Sequence, residues 1–178
     1  MIIGIAGGSC SGKTTLTRAM AAQLGCRTIS LDDYFLDPTM FPIVHDRPDY
    51  DRMEAVDWER AIEDIRTIAD SDETIVIEGF LLLAHAELRE LLDVSLFVEL
   101  DEAERVRRRF AREAKTECLY IAEHIPRRHR ELVEPSKMYA DVVVDGNRPT
   151  EQLLDEVIEL CLPPVASRAI LEPQLVTA

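Results

Sequence analysis

The stretch that most constrains the fold is the first one, because the apolar, β-branched residues 2–6 pass directly into the segment GGSCSGKT and then into a helical pattern at residues 13–24. A continuous apolar run predicts a strand that is buried on both faces. Similar runs lie at residues 28–31, 74–77, 95–100 and 141–144. Helical patterns lie near residues 54–69, 84–92, 102–117, 120–133 and 150–161. This alternation predicts an α/β fold, with a five-stranded parallel sheet and helices on both of its faces.

The chain has the length of a single domain. Its 178 residues contain no repeat and no linker that would divide them, and a chain of this size can bury a substantial core. We predict one domain over residues 1–162 and a tail of unknown role over residues 163–178. Within the domain, the Asp- and Pro-rich residues 32–53 predict a long loop of the kind that carries function.

The overall charge limits the choice of partners. The 34 acidic and 20 basic residues leave a formal charge of −14, which opposes binding to nucleic acid or to an anionic membrane. No apolar run approaches the roughly 20 residues that span a bilayer, and the four cysteines lie too far apart for a zinc site or a disulfide framework. We therefore expect a cytoplasmic protein with small-molecule partners, as a monomer or a homodimer.

Residues 7–14 match the pattern GxxxxGK[ST] of a phosphate-binding loop, or P-loop, in the strand-to-helix context that the pattern requires. Glycine permits the turns that aim backbone N–H groups at phosphate oxygens, and the helix N-terminus adds its positive dipole. We expect Lys13 to reach the terminal phosphates and the Thr14 hydroxyl to bind Mg²⁺. The predicted ATP-phosphate site consists of Gly7, Gly8, Ser9, Cys10, Ser11, Gly12, Lys13, Thr14 and Thr15.

Two carboxylates end predicted strands. Because the carboxyl ends of parallel strands line the ligand crevice, we expect Asp32 to face the P-loop and to act as a general base for an acceptor hydroxyl. Glu78 ends a buried strand and suits a role in holding Mg²⁺ or its water. Acids at such positions also serve as helix caps or bind loop backbone, so both roles are hypotheses that the neighbouring P-loop favours.

Four arginines share one face of the helix predicted over residues 102–117. They are Arg105, Arg108, Arg109 and Arg112. Cations clustered in this way repel one another unless anions meet them, which predicts an Arg-rich helical lid over phosphates at about residues 105–125. The alternative is a solvated face that is neutralised by Glu102, Glu104 and Glu113.

A base, a metal-binding acid and phosphate-binding cations are the parts that phosphoryl transfer needs. The guanine-selecting motif NKxD is absent from the sequence, as is an ABC-type ATPase signature. The sequence therefore predicts an ATP- and Mg²⁺-dependent kinase. A non-catalytic nucleotide switch and a nucleoside monophosphate kinase are the alternatives, although the carboxylates of residues 32–57 would repel a phosphorylated acceptor.

Six segments resemble the uridine kinase family of P-loop nucleoside kinases and, within it, the nicotinamide riboside kinases. They are GGSCSGKTT, SLDDYF, PDYDRMEAVDWE, IVIEGFLLL, RVRRRFAR and VEPSKMYADVVVDG. The resemblance covers residues 1 to about 161, and VEPSK followed by YADVVVDG is far more particular to this family than the P-loop is. It implies the P-loop NTPase fold and phosphorylation of the 5′-hydroxyl of a ribonucleoside by ATP.

The resemblance also implies roles for single residues. The catalytic residues would be Asp32, Lys13 and Arg109. The substrate would contact Asp32, Asp33, Tyr50, Asp51, Glu78 and Arg109. Among these, Tyr50 would stack on the base and Asp51 would bind the ribose hydroxyls. ATP would further contact Arg105, Arg108, Arg112, Asn147 and Arg148, and Mg²⁺ would contact Thr14 and Glu78.

Two differences from the family bear on the acceptor. Too few residues separate Trp58 from Thr74 for the β-hairpin with which uridine kinases read pyrimidines, which favours nicotinamide riboside over uridine or cytidine. Ala114 replaces a second stacking tyrosine of nicotinamide riboside kinases, a loss that Phe110 or Tyr120 would have to offset. Uridine, cytidine and other small acceptors therefore stay open.

The distribution of charge adds a further indication about the acceptor. Residues 105–137 carry ten cations and five acids, so the acidity of the chain lies elsewhere. Positive charge is therefore expected where a lid meets ATP, and the acidic remainder would suit a neutral or cationic acceptor.

Overall fold

The computed structural model describes residues 1–70 and 74–161, in which five strands form one parallel sheet. The strands are, in chain order, β1 (Ile2–Gly7), β2 (Arg27–Ser30), β3 (Ile43–Val44), β4 (Arg47–Pro48), β5 (Ile75–Glu78), β6 (Val94–Glu99) and β7 (Val142–Asp145). The order across the sheet is β2-β5-β1-β6-β7, whereas β3 and β4 form a separate antiparallel hairpin. All five predicted sheet strands are confirmed, each end to within one residue. The predicted tail at residues 163–178 lies outside the described residues.

The helices follow the predicted pattern, but α2, α3 and α4 are shorter than predicted. They are α1 (Lys13–Leu24), α2 (Trp58–Ala69), α3 (Ala86–Glu90), α4 (Glu102–Arg112), α5 (Ile125–Arg128) and α6 (Thr150–Cys161). α2 begins at Trp58 rather than at 54 because the Asp57 carboxylate caps it, accepting from the backbone N–H of Arg60 at 3.2 Å. α4 ends five residues before the predicted end at 117, where Ala114 adopts a left-handed φ of 50°. Among the described residues, no helix is both long and apolar enough to span a bilayer.

The sheet is buried on both faces, as its continuous apolar runs predicted. Along β1, Ile3 and Ile5 face a cluster that includes α1 and α6, whereas Ile2 and Ala6 face a cluster built on α2 and residues 81–88. Successive side chains of a strand point to opposite faces, so one short apolar run supplies both halves of the core. The carboxyl ends of the strands therefore stand above a core that is rigid on both sides.

Residues 120–139 form one continuous helical segment with two wide turns. α5 lies between the π-helical turns Tyr120–His124 and His129–Val133, and a 3₁₀ turn, Glu134–Tyr139, follows. In both wide turns the residue before a proline donates its N–H five residues back, from Ile125 to Tyr120 and from Glu134 to His129. A proline ring clashes with the carbonyl four residues earlier in a regular helix, and the wider turn relieves that clash.

The long loop predicted over residues 32–53 is more ordered than its composition indicated. It contains the 3₁₀ turns Leu31–Tyr34, Pro38–Met40 and Met53–Ala55. Between the last two, His45 and Asp46 have φ values of 47° and 61°, which is the geometry of a tight hairpin turn between β3 and β4. His45 is exposed at this turn, and Phe41 is buried beside it.

Because the core covers both faces of the sheet, we expect replacement by alanine to have unequal effects on stability at two isoleucines. Ile5 is fully buried in β1, whereas Ile43 in the hairpin is 65% exposed. We expect Ile5→Ala to lower the free energy of unfolding by about 2–5 kcal/mol and Ile43→Ala to change it by less than about 0.5 kcal/mol. Urea denaturation at fixed pH measures both. Equal losses in the two variants would contradict the described packing of β1.

Candidate active site

The P-loop has the backbone that a phosphate cradle needs. Gly7 and Gly12 have positive φ values of 145° and 105°. A Cβ atom on Gly7 would lie 2.6 Å from the carbonyl oxygen of Val98, so a larger residue does not fit there. α1 begins directly after Gly12, and the first N–H groups of a helix have no partner within it and favour an anion. Residues 7–15 thus have the strand-to-helix backbone that the motif requires, and their contact with ATP stays a prediction.

Glu78, the last residue of β5, contacts Thr14, the other residue predicted to bind Mg²⁺. The side chain is buried, and its Oε1 accepts hydrogen bonds from Thr14 Oγ1 at 3.1 Å and from Ser30 Oγ at 2.9 Å. Its Oε2 lies 3.9 Å from Lys13 Nζ. Hydroxyl and carboxylate oxygens are the ligands that Mg²⁺ prefers, so Thr14 and Glu78 fit the metal role. Ser30 was missed by the sequence reasoning, because its pairing opposite Glu78 depends on the strand order.

Asp32 and Asp33 lie in the 3₁₀ turn that follows β2, and both side chains are exposed. Asp32 lines a main cavity of about 530 Å³ together with Lys13 and Thr14. It also lines an adjoining cavity of about 410 Å³, where Asp33 and Glu78 lie. Asp33 is not among the described residues that line the main cavity. Of the two neighbouring acids, Asp32 therefore lines both cavities, whereas Asp33 lines the adjoining one.

The arginine face of α4 is turned toward the P-loop. Arg109 Nη1 donates to Ser9 Oγ at 2.9 Å. Arg112 is exposed and lines the main cavity. Arg108 lines a third cavity of about 230 Å³. The alternative, an arginine face neutralised by acids of the same helix region, is right in part, because Glu104 pairs with Arg108 and Glu113 pairs with Arg109.

Arg105 differs from the other three arginines. It is 5% exposed, its Nε donates to the carbonyl oxygen of Leu100 at 3.0 Å, and its guanidinium packs against Gly8 from behind the P-loop. Burial lowers the pKa of Arg105. It therefore supports the loop rather than facing the cavities. The predicted lid at about residues 105–125 comprises the end of α4, at Arg112, and the start of the helical segment at Tyr120, and its closure over phosphates stays a prediction.

The predicted adenine side lies at the third cavity. Asn147 and Arg148 line it together with Ser11, Gly12 and Arg108. At its edge a Cβ atom on Gly146 would lie 2.7 Å from the backbone oxygen of Ser11, so the segment approaches the P-loop closely. The contact between residues 146–148 and ATP stays a prediction.

Seven of the residues that line the main cavity are apolar or aromatic. They are Phe35, Leu36, Pro38, Pro48, Tyr50, Phe80 and Tyr120. The Tyr50 ring packs edge-on against Phe35 and Phe41, with centroids 5.2 and 5.3 Å away. Of the two residues expected to offset Ala114, Tyr120 lines the cavity, whereas Phe110 packs beneath it against Ile121 and Ile125.

Asp51 also lines this cavity and is held by hydrogen bonds from several sides. Its Oδ2 accepts from the hydroxyl of Tyr120 at 2.7 Å. Its backbone N–H donates to Asp49 Oδ1 at 3.1 Å, and that oxygen lies 2.8 Å from His124 Nε2. Arg128 Nε donates to the backbone oxygen of Asp51 at 2.6 Å. Asp49, His124 and Arg128 were missed by the sequence reasoning, since they act through Asp51 and match no motif.

This surrounding changes the acidity of two groups. Burial raises the pKa of Asp51 above that of an ordinary carboxyl, against the lowering effect of the Tyr120 hydrogen bond. Burial and the nearby Asp51 carboxylate also raise the pKa of Tyr120, which stays a hydrogen-bond donor. Ligand atoms of Asp49, Asp51 and His124 lie within 4.8 Å of one another, but Asp49 Oδ1 is hydrogen-bonded to His124 and Asp51 Oδ2 accepts from Tyr120.

Comparison with known proteins agrees with this architecture. The family model described as "AAA domain" matches residues 3–131. A uridine kinase of Chlamydia pneumoniae is 30% identical over 183 residues, covering 83% of this chain and 82% of its own. The uridine kinase of Bacillus subtilis is 29% identical over 193 residues, covering 89% and 92%.

Solved structures show the same fold at lower identity. A sugar kinase from Janibacter sp. HTCC2649 has a TM-score of 0.63 at 20% identity, covering 92% of this chain and 95% of its own. Shikimate kinase from Bacteroides thetaiotaomicron also has a TM-score of 0.63 at 20% identity, covering 90% and 98%.

The fold and the site define a P-loop kinase, an enzyme class that uses ATP with Mg²⁺. Within that class the chain belongs to the uridine kinase family. The predicted α/β fold, the kinase activity and the cofactors are thereby confirmed. The base of the acceptor and the role of each site residue are not decided by these similarities.

The raised pKa of Asp51 predicts that its negative charge lowers the stability of the folded state near pH 7. Because the folded state binds the proton more tightly than the unfolded chain, the contribution of Asp51 to stability falls as pH rises through the raised pKa. We expect Asp51→Asn to unfold at a higher temperature than the wild type near pH 7 and to have a smaller advantage near pH 4, because the carboxyl takes up a proton as the pH falls through its raised pKa. Calorimetry at both pH values measures this.

A matched control for this substitution is Asp155→Asn, at an exposed position of α6. It should show little change in unfolding temperature at either pH. A loss of stability in Asp51→Asn near pH 7 would contradict the buried, charged state of this side chain.

Proposed function

We propose that the chain transfers the γ-phosphoryl group of ATP to the 5′-hydroxyl of a ribonucleoside. The observation that carries this proposal is the composition of the main cavity. One continuous space is lined by the P-loop residues Lys13 and Thr14, by the exposed carboxylate of Asp32, and by Asp51 together with several aromatic side chains. A phosphate donor and a hydroxylated ring can therefore bind side by side, as in-line transfer requires.

Each group has a distinct task in this proposal. Asp32 accepts the proton of the attacking hydroxyl, and its exposed position leaves it free to reach the acceptor. Lys13 and Arg109 offset the charge that develops on the γ-phosphate, and Arg109 is already held at the P-loop by Ser9. Mg²⁺, held by Thr14 and Glu78, would neutralise phosphate charge. Arg108 and Arg112, with residues 147–148, would bind the rest of ATP.

The acceptor end suits a ribose and a flat ring. Asp51 offers a fixed carboxylate for two ribose hydroxyls, and the rings of Tyr50 and Tyr120 line the space in which the base would lie. The resemblance of the sequence implies nicotinamide riboside as the acceptor. Uridine is the second candidate, because relatives at 26–30% identity carry the name uridine kinase. An acceptor panel coupled to ADP release separates the two.

The same panel tests the alternative class. If no acceptor raises ADP release above the background hydrolysis of ATP, the chain acts as a nucleotide-dependent switch rather than as a nucleoside kinase.

The role of Asp32 has a direct test with its neighbour as control. Asp32→Asn removes the proton acceptor but keeps the shape of the turn, so we expect phosphoryl transfer to fall by at least about a hundredfold while ATP binding is kept. Asp33→Asn, in the same turn but outside the main cavity, should retain far more of the rate. Steady-state kinetics and nucleotide titration measure both variants. Near-normal turnover of Asp32→Asn would remove this residue from its role.

A further inference from the structure

The charges that line the main cavity differ from those expected from the sequence. Among the described residues, two carboxylates line it, those of Asp32 and Asp51. Four cations line it as well, Lys13, Arg47, Arg109 and Arg112. The remaining acids of residues 32–57 lie outside this cavity, so the acidic loop does not produce an acidic acceptor site. Three of the cations belong to the phosphate end, which leaves Arg47 to be explained.

Arg47 reaches the cavity from the hairpin rather than from the P-loop or α4. It is the first residue of β4, and its guanidinium carbon lies 5.1 Å from the centre of the Tyr120 ring. Arg47 Nη1 donates to Glu113 Oε2 at 2.7 Å. The other oxygen of Glu113 accepts from Arg109 Nε at 2.5 Å. The Tyr120 ring and the Glu113 carboxylate therefore fix the orientation of the Arg47 guanidinium.

These contacts leave donors on the guanidinium for a ligand. An arginine carries five N–H groups, and one of those of Arg47, on Nη1, donates to Glu113. The other N–H groups of Arg47 belong to a side chain that lines the main cavity, as Tyr50 and Pro48 also do. A guanidinium has no acceptor and stays charged, so it attracts oxygen atoms and carboxylates and repels a cationic or donor-bearing edge.

We propose that Arg47 selects the acceptor by donating hydrogen bonds to an oxygen-bearing edge of its base, either a carboxylate or a ring carbonyl. The inference rests on the proposed function, because Asp51 must hold the ribose for the base to lie against Tyr50 and Tyr120. It sharpens that function by naming the acceptor class. A pyridinium riboside with a carboxylate is favoured over the same ring with a carboxamide, and uridine is favoured over cytidine.

Matched acceptors test this selection. Nicotinic acid riboside and nicotinamide riboside differ in a carboxylate and a carboxamide, and uridine and cytidine differ in a carbonyl and an amino group. We expect the wild type to have the higher kcat/KM for nicotinic acid riboside in the first pair and for uridine in the second. In Arg47→Gln this ratio should fall by about tenfold, the usual effect of losing a charged hydrogen bond. Arg47→Lys keeps the charge and should retain part of the preference.

The ratio separates selection from a merely structural role. If Arg47 only held Glu113 and Tyr120 in place, its replacement would lower kcat/KM for both members of a pair equally. Arg66→Gln is the matched control, because Arg66 is exposed on α2, pairs with Glu87 and lies outside the main cavity. A wild-type preference for the carboxamide or amino acceptor, or an unchanged ratio in Arg47→Gln, would overturn the proposal.

Calorimetric binding of the same acceptors, with a non-hydrolysable ATP analogue present, keeps this inference separate from the proposed function. If no acceptor is phosphorylated but the carboxylate riboside binds more tightly than the carboxamide in the wild type and not in Arg47→Gln, the proposed kinase reaction fails and the role of Arg47 stands. If acceptors are phosphorylated and bind without that difference, the kinase reaction stands and the role of Arg47 fails.

Discussion

The buried carboxylate of Glu78 is the interaction on which the rest of the site depends. A buried anion is costly unless cations and donors meet it. Here Lys13 and Thr14 from α1 and Ser30 from β2 provide those partners. The carboxylate thus connects the end of β5, the end of β2 and the first turn of α1. The geometry at which donor phosphate, metal and acceptor would meet is therefore set by the sheet itself, which is rigid on both faces.

The acceptor side is built differently, from loops and from the segment after α4. Asp51 does not stand on a strand but is fixed by Tyr120 and Arg128 and by the Asp49–His124 pair. The two sides are joined by Glu113 at the end of α4, whose carboxylate accepts from Arg109 on the phosphate side and from the hairpin on the acceptor side. Glu113 therefore connects the hairpin with Arg109, which in turn donates to Ser9 of the P-loop.

The sequence was sufficient for the features that local patterns determine. The five strands, the P-loop and the arginine face of α4 follow from apolar runs, glycine spacing and helical periodicity. It was insufficient where the outcome depends on which distant residues meet. Ser30 is a partner of Glu78 because β2 lies beside β5 in the sheet. Arg47 lines the main cavity from a hairpin, and the turn of that hairpin, at His45 and Asp46, contains no glycine that would mark it in the sequence. Net charge over the long loop was misleading because it does not say which carboxylates face the cavity.

The two wide turns in residues 120–139 have a consequence for how this segment is compared with others. Tyr120 and His129 are nine residues apart, which on a regular α-helix is about half a turn out of phase, at about 100° per residue. Both are nevertheless buried, Tyr120 beside Asp51 and His129 against Gly8. A helical wheel drawn with the ordinary period would put the two side chains on opposite faces of the segment. The wide turn before Pro126 accommodates one extra residue, which rotates the residues after it by about 100° and brings His129 round toward the face that carries Tyr120.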